Sequence, residues 1–436
     1  MDEVTSTEPP SVVPHEPPRL VEHFFRHESA HLVAVLTRAF GIRHLDRIEE
    51  SVQDAMLTAV ETWSRRGIPD NPAGWIYRVA RRRVLDALRR ETIHQRAVGL
   101  VGRSESQVEA AIETLVDDWL TESRLPDSLL RMIFVCCHPA LDRRSQIALT
   151  LNVLCGFGLA EIARGLLIST EAAKKRVQRA KATLAERQIQ VDLPPTDTLR
   201  DRLAVVHEVL YLLFNEGYST ARGHEPIRDD ICEEAARLTH LLATHETFGT
   251  PESSALLALM LAHSARLDAR VDDEGVAILL ADQDRSRWDR RLIRAAETWL
   301  ETSKTNRPSR FHVEAAIALV HCRAPTVGAT DWPQIVALYD RLVTIAPSPV
   351  VTLNRAIARG EAGDVETAFA EIETIRDHPD MRRYVLLDCA TGRLHELSSN
   401  YHAAIDAYAA ARAATDAPHE RALLDRILQR LRTAAT

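Results

Sequence analysis

The segment HESAH, residues 27 to 31, has the H-E-x-x-H spacing that is typical of zinc proteases. On a helix, His27 and His31 would lie one turn apart on the same face, so both imidazoles could bind one zinc ion. Glu28 would be placed to activate a water molecule, and Glu50, nineteen residues beyond His31, could supply a third ligand. The first hypothesis for these residues is therefore metal-dependent proteolysis.

The chain around this motif lacks the other parts of such an enzyme. A zinc protease needs a substrate-binding strand edge beside the motif helix, and no strand pattern lies near HESAH. A chance match in a chain with 18 histidines makes the spacing alone a weak signal. Cys136, Cys137 and His138 form a second metal-like run, but adjacent ligands cannot readily close a tetrahedral site. We predict buried, packed thiols there, and no catalytic residue, metal site or cofactor.

The composition indicates an all-α protein of roughly two to four domains. The chain has 436 residues but only 16 glycines, and alternating runs of β-branched and aromatic residues between tight turns are scarce. Six cysteines without a C-x-x-C pair are typical of a reducing compartment, so we expect a cytoplasmic protein. Neither a signal-peptide pattern nor an apolar run of membrane length occurs, which predicts no membrane partner.

Charge is distributed unevenly along the chain. The formal net charge is −8, which argues against a protein that coats nucleic acid along its whole surface. Two segments are nevertheless basic: residues 72 to 96 carry a net +5, and residues 161 to 187 carry a net +4. These two basic segments are the candidates for contact with a polyanion.

Breaks rich in proline divide the chain into helical blocks. RRGIPDNPAG separates two amphipathic helices, and VDLPPTD ends a second helical block. Beyond it, segments such as YHAAIDAYAAARAA carry the small-residue spacing of stacked helix pairs, as in tetratricopeptide (TPR) repeats. The predicted organisation is a disordered tail (1–18), a first helical domain (19–92), a linker (93–124), a second helical domain (125–190) and a TPR-like helical array (196–436).

The segment GLAEIARGLLISTEAAKKRVQRAKATL, residues 158 to 184, has the pattern of a helix-turn-helix. Ser169 is placed to cap the second helix, Glu171 lies in its first turn, and the small Ala163 lets the two helices cross closely. Helical spacing gives that helix an inner face of Ala173, Val177, Ala180 and Leu184, an outer face of Lys174, Lys175, Gln178 and Lys181, and flanks of Arg176 and Arg179. A basic helix of this kind can enter the major groove, although an ordinary amphipathic surface helix is the alternative.

The first basic segment, WIYRVARRRVLDALRR, predicts another helix with a cationic outer stripe. Apolar residues from Ile76 to Leu88 recur at helical spacing and face inward, whereas the arginines at 78, 82 and 89 line the outer face with Arg81 beside them. Trp75 and Tyr77 stand at its start, where their rings could pack in the core or stack on unpaired bases. Together with the helix-turn-helix, this helix predicts a two-point grip on DNA.

The order of these motifs resembles the extracytoplasmic-function group of bacterial sigma-70 factors. IEESVQDA, NPAGWIYRVARRRVLDALRR and EIARGLLISTEAAKKRVQRAKATL look like their regions 2 and 4. LLRMIFVCCHPAL, VLYLLFNEGYS, ADQDRSRWDRRLI and PSPVVTLNRAIA look like signatures of the subgroup with a long C-terminal helical extension of the DUF6596 type. The resemblance extends from Leu20 to the C-terminus and implies a non-enzymatic protein that binds core RNA polymerase and promoter DNA.

The resemblance also implies a role for each motif. The polymerase, through its β′ clamp and β flap, would be a partner, and the β′ clamp helices would contact Glu49, Glu50 and Gln53. The −10 promoter element would be captured by Asn71, Trp75, Tyr77, Arg78, Arg81, Arg82 and Arg89. The −35 element would be read by Ser169, Thr170, Glu171, Lys174, Lys175, Arg176 and Arg179. Genes for small DGPF-type proteins accompany this subgroup, which makes such a protein a further candidate partner.

The array after residue 196 is large enough to act as a regulatory domain. Helical arrays build concave surfaces that suit a peptide or protein. We expect it to dock on the sigma domains or the polymerase and to set activity in place of an anti-sigma factor; the alternative is a stabilising appendage. A second class of function stays open, a helix-turn-helix regulator with a ligand- or protein-sensing array that needs no polymerase.

DQDRSRWD, residues 282 to 289, is expected to form an ion-paired turn.

Overall fold

The computed structural model describes residues 18–97, 125–166, 168–218, 229–272, 274, 276–382 and 384–434. The side chains at 18–27, 91–97, 125–127, 165 and 419 lie outside the description. The described residues form helices joined by turns, with one isolated bridge between Val271 and Ala277, which confirms the all-α prediction. None of the described helices combines the length and the apolar character needed to cross a membrane.

The chain divides into two compact units that interleave along the sequence. The first unit comprises Met1–Val135, Leu151–Phe157 and Lys181–Asp192, and the second comprises Cys136–Thr150, Gly158–Ala180 and Leu193–Thr436. Most of the helix-turn-helix therefore belongs to the same unit as the C-terminal array.

Three helices form the N-terminal part of the first unit: α1 (Pro18–Phe40), α2 (Leu45–Arg66) and α3 (Pro72–Ala97). Most of the apolar residues that helical spacing assigns to the inner faces of α2 and α3 are fully buried: Ile48, Val52, Ala55, Ala59, Ile76, Ala80 and Val84. Trp63, Ala87 and Leu88, assigned to the same faces, are half-buried. Helix α2 ends at Gly67, whose φ of 81° favours glycine and whose N–H donates to the carbonyl of Trp63 at 3.0 Å. Helix α3 then begins with a proline at its first position, where no N–H is needed.

Four further helices lead to the array: α4 (Leu125–Cys136), α5 (Arg143–Val153), α6 (Leu159–Gly165) and α7 (Thr170–Glu186). The described part of α4 is buried on almost all sides, since Leu129, Leu130, Met132, Ile133 and Phe134 are at most 1% exposed. Burying a side chain of this size contributes about 1.5–3 kcal/mol relative to leaving it in water, so α4 is a major source of stability.

The two thiols of the CCHP run at the end of α4 are buried, as predicted. Cys136 and Cys137 are 1% and 0% exposed, and burial raises the pKa of the Cys137 thiol to about 12. The Nε2 group of Gln146 donates to the carbonyls of Cys137 and His138 at 3.2 and 3.0 Å, which closes the turn behind α4. A thiol held neutral in this way packs as a small apolar group.

The array consists of helices that pack on their neighbours in sequence and, in part, on the next helix but one, as stacked helix pairs do. The helices are α8 (Thr196–Tyr218), α9 (Asp229–Ala243), α10 (Pro251–Ser264), α11 (Arg290–Thr302), α12 (Arg310–Arg323), α13 (Trp332–Ile345), α14 (Pro349–Glu361), α15 (Val365–Arg376), α16 (Val385–Leu397), α17 (Tyr401–Ala414) and α18 (Pro418–Ala434). A Cβ atom at Gly392 would lie 2.9 Å from the ring of Tyr408, so α16 and α17 approach closely because this position is glycine.

The segment DQDRSRWD forms a capped turn rather than the ion-paired turn that we expected. The carboxylates of Asp284 and Asp289 accept hydrogen bonds from backbone N–H groups at 2.9 and 2.6 Å, so they cap the helices that follow them. The Arg285 guanidinium lies 4.6 Å from the centroid of the Trp288 ring and donates to two backbone carbonyls. Because Asp284 and Asp289 cap helices, the buried Arg285 contacts backbone carbonyls and the Trp288 ring rather than these carboxylates.

Within the described part of the array, Glu314 carries a carboxyl group that titrates near neutral pH. Burial raises the pKa of Glu314 from 4.5 to about 7; attraction to Arg310 and a hydrogen bond with Tyr211 oppose the rise, and the charge of Glu208 adds to it. Tyr339 also faces this carboxyl group. Because the folded state holds the proton more tightly than the unfolded state, this contribution to stability is full below about pH 4.5 and is lost as the pH rises through about 7.

We therefore expect Glu314 to lower the free energy of unfolding by on the order of 3 kcal/mol between about pH 5 and about pH 8. Glu314→Gln should flatten this part of the pH dependence, which urea unfolding of the full chain at the two pH values measures. Glu366→Gln, an exposed position on α15, is the matched control and should leave the dependence as in the wild type. A wild-type slope that survives in Glu314→Gln would contradict this assignment.

Candidate nucleic-acid interface

The arginines of α3 divide between a structural and a surface role. Arg83 donates to the carboxylate of Asp54 and to the hydroxyl of Thr58, each at 2.9 Å, so it ties α3 to α2. Four positions were predicted to contact the −10 element through a guanidinium: Arg78, Arg82 and Arg89 are exposed, and Arg81 is half-buried beside them. The outer stripe expected from helical spacing is therefore present on α3.

Asn71 begins α3 as its cap. The N–H of Gly74 donates to the Asn71 side-chain oxygen at 2.8 Å, and a Cβ atom at position 74 would collide with that side chain. A capping asparagine stabilises the first turn by about 1 kcal/mol. Asn71 is itself exposed, so capping places it at the surface beside the start of the basic stripe.

The two aromatic residues at the start of α3 differ in exposure. Trp75 is half-buried, and its ring lies edge-on to that of Trp63 with centroids 5.7 Å apart. Tyr77 is 1% exposed and belongs to the core, so in this structure it presents no face on which a base could stack. Of the two rings, the structure leaves only part of Trp75 accessible, because Tyr77 lies on the same inner side as Ile76 and Ala80.

The predicted polymerase contacts lie on α2 and differ in accessibility. Glu50 is exposed and pairs with Arg47 at 3.2 Å, and Gln53 is exposed beside it. Two apolar side chains that sequence reasoning missed continue the same helix face: Leu57 is 65% exposed and Val60 is 56% exposed. Their spacing from Gln53, four and seven residues, was the signal that could have found them, since large exposed apolar groups in a row mark interaction surfaces.

The helix-turn-helix has the cap and the inner face that its sequence predicts. The Ser169 hydroxyl accepts a hydrogen bond from the N–H of Ala172 at 3.1 Å, and Glu161 accepts one from the N–H of Gly158 at 2.7 Å. The Ile168 N–H donates to the carbonyl of Ala163 at 3.0 Å, which closes the end of α6. The inner-face residues are at most 4% exposed: Ala163, Ala173, Val177, Ala180 and Leu184. Leu167, in the turn, lies outside the described residues.

The outer face of α7 presents most of the residues predicted to contact the −35 element. The exposed members are Ser169, Thr170, Glu171, Lys174, Lys175 and Arg179, together with Gln178, and Arg176 is half-buried. Lys175 and Glu171 pair across one turn at 3.5 Å. An exposed pair of this kind contributes little to stability, so the charge of Lys175 remains available to a phosphate.

Lys181 does not face outward, contrary to our expectation from helical spacing. Within the first unit its ammonium group pairs with the carboxylate of Asp46 at 2.9 Å and with that of Glu49, and the Lys181 and Glu49 side chains are only 10% and 18% exposed. Burial disfavours the charge of Lys181, but attraction to both carboxylates outweighs it and raises the pKa of Lys181. Burial raises the pKa of Glu49, and the attraction of Lys181 offsets only part of that rise. Glu49 is thus engaged inside the protein.

The HESAH residues lie on α1, with His31 half-buried. The side chain of His27 lies outside the described residues, and Glu50 pairs with Arg47 on the surface of α2. Over the part of the chain that the structure describes, no three His, Cys, Asp or Glu side chains come together as metal ligands do.

Comparison with known proteins finds family matches for three parts of the chain. Residues 24–93 match Sigma-70 region 2, residues 131–184 match Sigma-70, region 4, and residues 202–304 match a family of unknown function (DUF6596). An uncharacterized protein of Rhizobium meliloti (strain 1021) is 38% identical over 350 residues, which cover 79% of this chain and 82% of that protein. No solved structure matches the chain.

A basic helix domain followed by a helix-turn-helix, each matching a sigma region, defines a transcription initiation factor that binds core RNA polymerase and promoter DNA. The chain belongs to the sigma-70 family of RNA polymerase sigma factors, to the extracytoplasmic-function type with a C-terminal extension. It is not an enzyme, because the polymerase carries out the bond chemistry.

Proposed function

We propose that this sigma factor reads the −35 element with the exposed face of α7. The observation that carries the proposal is the separation of that helix into a buried apolar face and an exposed row of lysine, arginine and hydroxyl groups beginning at Thr170. Cations position a helix on the phosphates, and side chains in its first turns reach base edges in the major groove. In the same proposal the β flap of the polymerase holds the region 4 domain over the DNA.

The −10 element would be captured by the exposed stripe of α3, with Asn71 and Trp75 at its start. Extruding a base costs a few kcal/mol, which stacking on an accessible ring and phosphate contacts must offset. The half-buried Trp75 ring and the exposed guanidinium groups of Arg78, Arg82 and Arg89 supply both kinds of contact. Tyr77 would support this surface from within the core.

The β′ clamp helices would dock on α2. Glu50 and Gln53 offer polar contacts at the surface, and Leu57 and Val60 extend them with apolar area that water otherwise covers. Glu49 can take part only after it leaves Lys181, because the two side chains are paired and mostly buried. We therefore assign the first contact with polymerase to Glu50, Gln53 and the two apolar side chains.

The C-terminal array would set the activity of the sigma domains. This part of the proposal is supported by the sharing of one compact unit between Gly158–Ala180 and Leu193–Thr436. Within that unit the guanidinium of Arg143 on α5 donates to the carbonyl of Val205 on α8 at 3.2 Å, so the helix that precedes the helix-turn-helix is bonded directly to the array. A cytoplasmic location follows from the need to meet core polymerase, and a small DGPF-type protein as partner rests on the family resemblance alone.

Run-off transcription tests the proposal. The full chain is mixed with core RNA polymerase and the DNA upstream of its own operon, and we expect a core-dependent transcript from one defined start. Failure to bind core, with binding to DNA retained, would favour a helix-turn-helix regulator with a sensing array. Removal of residues 196 to 436 should change the transcript level strongly, and DNA binding of the shortened chain in a gel-shift assay shows that it is folded. An unchanged level would contradict the regulatory role of the array.

A further inference from the structure

The array contains a cavity of about 470 Å³ between helices of its N-terminal half and the start of α14. Side chains of α8, α10, α12, α13 and α14 line it, so it is enclosed by elements far apart in the sequence but within one unit. Its volume lies in the range of sites that hold a small organic molecule. The sigma activity described above assigns no role to it.

An unbalanced cation lies in the wall of this cavity. Arg266 is 7% exposed, and its guanidinium lies 5.4 Å from the centroid of the Trp288 ring. Its Nε–H has no hydrogen-bond partner, and among the residues that the structure describes no carboxylate pairs with it. A buried charge is costly unless an opposite charge compensates it. Arg266 is therefore a position at which the folded chain would gain from an external anion.

The groups around Arg266 do not supply that anion. Burial, together with Arg266 and Arg285, lowers the pKa of His321 to about 4. Burial, together with Arg266, Arg270 and His321, holds the pKa of His263 well below its usual value. Both histidines are therefore neutral at pH 7. Their lowered pKa values reflect burial first and the nearby arginines second.

The remaining charged groups of the cavity largely balance each other. Arg310 pairs with Glu208 at 2.8 Å and lies 4.5 Å from the centroid of the Tyr211 ring. Glu314, which also lines the cavity, is near half-protonated at neutral pH because of its raised pKa. Among the described residues that line the cavity, Arg266 is therefore the cation that no carboxylate pairs with, and Glu314 adds a partial negative charge to the same lining.

The rest of the lining defines what could carry the negative charge. Asn354 lines the cavity from α14, and its side-chain amide makes no hydrogen bond within the described part of the chain. Apolar side chains, among them Leu259, Ile317 and Leu342, form another part of the wall. A fork-shaped guanidinium, a free amide donor and an apolar wall suit a planar anion on an apolar body.

We propose that the cavity of the array binds an organic carboxylate, with Arg266 pairing with the carboxylate group, Asn354 donating to it and the apolar wall covering the body of the ligand. The single guanidinium fork of Arg266 matches the two oxygens of one carboxylate group. The carboxylate can belong to a free small acid or to the C-terminus of a peptide. The site stands on the cavity alone and does not depend on the transcriptional roles proposed above.

Isothermal titration calorimetry of the full chain tests this site with two pairs of probes, each a carboxylate and its uncharged amide. Phenylbutyrate is compared with the uncharged phenylbutanamide, and an acetylated tripeptide that ends in phenylalanine with a free carboxylate is compared with its amide. We expect a carboxylate probe to bind at least about tenfold more tightly than its amide. Binding of phenylbutyrate alone identifies a small acid as the ligand type, and binding of the tripeptide alone identifies a peptide terminus.

Variants assign the binding to the named residues. Arg266→Gln and Asn354→Ala should each weaken the bound carboxylate by about tenfold or more, whereas Arg291→Gln, an exposed arginine on α11, should bind as the wild type does. If Arg266→Gln does not fold, Asn354→Ala and Arg266→Lys carry the comparison. The proposal is overturned if neither carboxylate probe binds at about 10 mM, if the amides bind equally well, or if the folded variants bind unchanged. Because no polymerase is present, this outcome is independent of the transcription assay.

Discussion

Replacing Lys174, Lys175 and Arg179 together by alanine is expected to reduce promoter-dependent transcription by about a hundredfold. All three side chains are exposed on the outer face of α7, so the change leaves the buried face of Ala173 and Val177 in place. Each contact to phosphate or base contributes on the order of 1 kcal/mol, and three such losses correspond to about two powers of ten in affinity. Run-off transcription and promoter binding by the holoenzyme measure the effect.

The salt dependence of promoter binding shows whether the lost contacts were to phosphates. Each phosphate contact that is removed should reduce the slope of log affinity against log salt by about 0.9. Arg187→Ala is the matched control, because Arg187 is exposed and lies just after the end of α7 at Glu186. A triple variant with unchanged slope and affinity would mean that α7 is an ordinary surface helix.

Replacing Lys181 by methionine is expected to destabilise the first unit by about 3 kcal/mol. Methionine keeps the length of the side chain but leaves Glu49 buried without its cation, and an unpaired buried charge costs far more than the pair itself contributes. Because the pKa of Glu49 is already raised by burial, the loss should be larger at pH 8 than at pH 5. Chemical unfolding of the full chain at both pH values measures the change.

Two comparisons separate this effect from a general loss of helix surface charge. Lys175→Met removes a pair with Glu171 on the same helix in which both side chains are more than half exposed, and such a pair contributes at most about 1 kcal/mol. Adding Glu49→Gln to Lys181→Met should recover part of the lost stability, since the buried carboxylate is then neutral. If Lys181→Met and Lys175→Met lowered the free energy of unfolding equally, burial of the Lys181 pair would make no difference to stability.

Local sequence determined the helices and their buried faces. Spacing alone identified Ile48 and Val52 on α2 and Val177 and Leu184 on α7, because a repeat of 3.6 residues fixes which side chains share a face whatever packs on it. Ser169 was likewise recognisable as a cap, since capping involves residues only three positions apart. The predicted surface positions of the −35 and −10 residues follow from the same periodicity, and their roles in promoter binding stay predictions.

Periodicity identifies a face but not what the face meets. The sequence places Tyr77 near the start of α3 but leaves open whether its ring packs in the core or stays at the surface. The tertiary fold decides this, and the ring lies in the core. Lys181 shares the outer face of α7 with Lys174, yet it pairs with carboxylates on α2 more than 130 positions earlier in the chain. No local pattern contains that partner.

By itself, then, the sequence of this sigma factor determined the all-helical class, the caps and the inner faces, because these depend on neighbours within about one to two helical turns. Only the tertiary structure decided which charges are neutralised inside the protein and which stay exposed. Glu49 is engaged by Lys181, Arg143 is bonded to the array, and Arg266 lines a cavity without a carboxylate partner among the described residues. Each of these outcomes requires segments that are distant in sequence to meet in space, so burial, and with it the strength of every charge, is set by the fold.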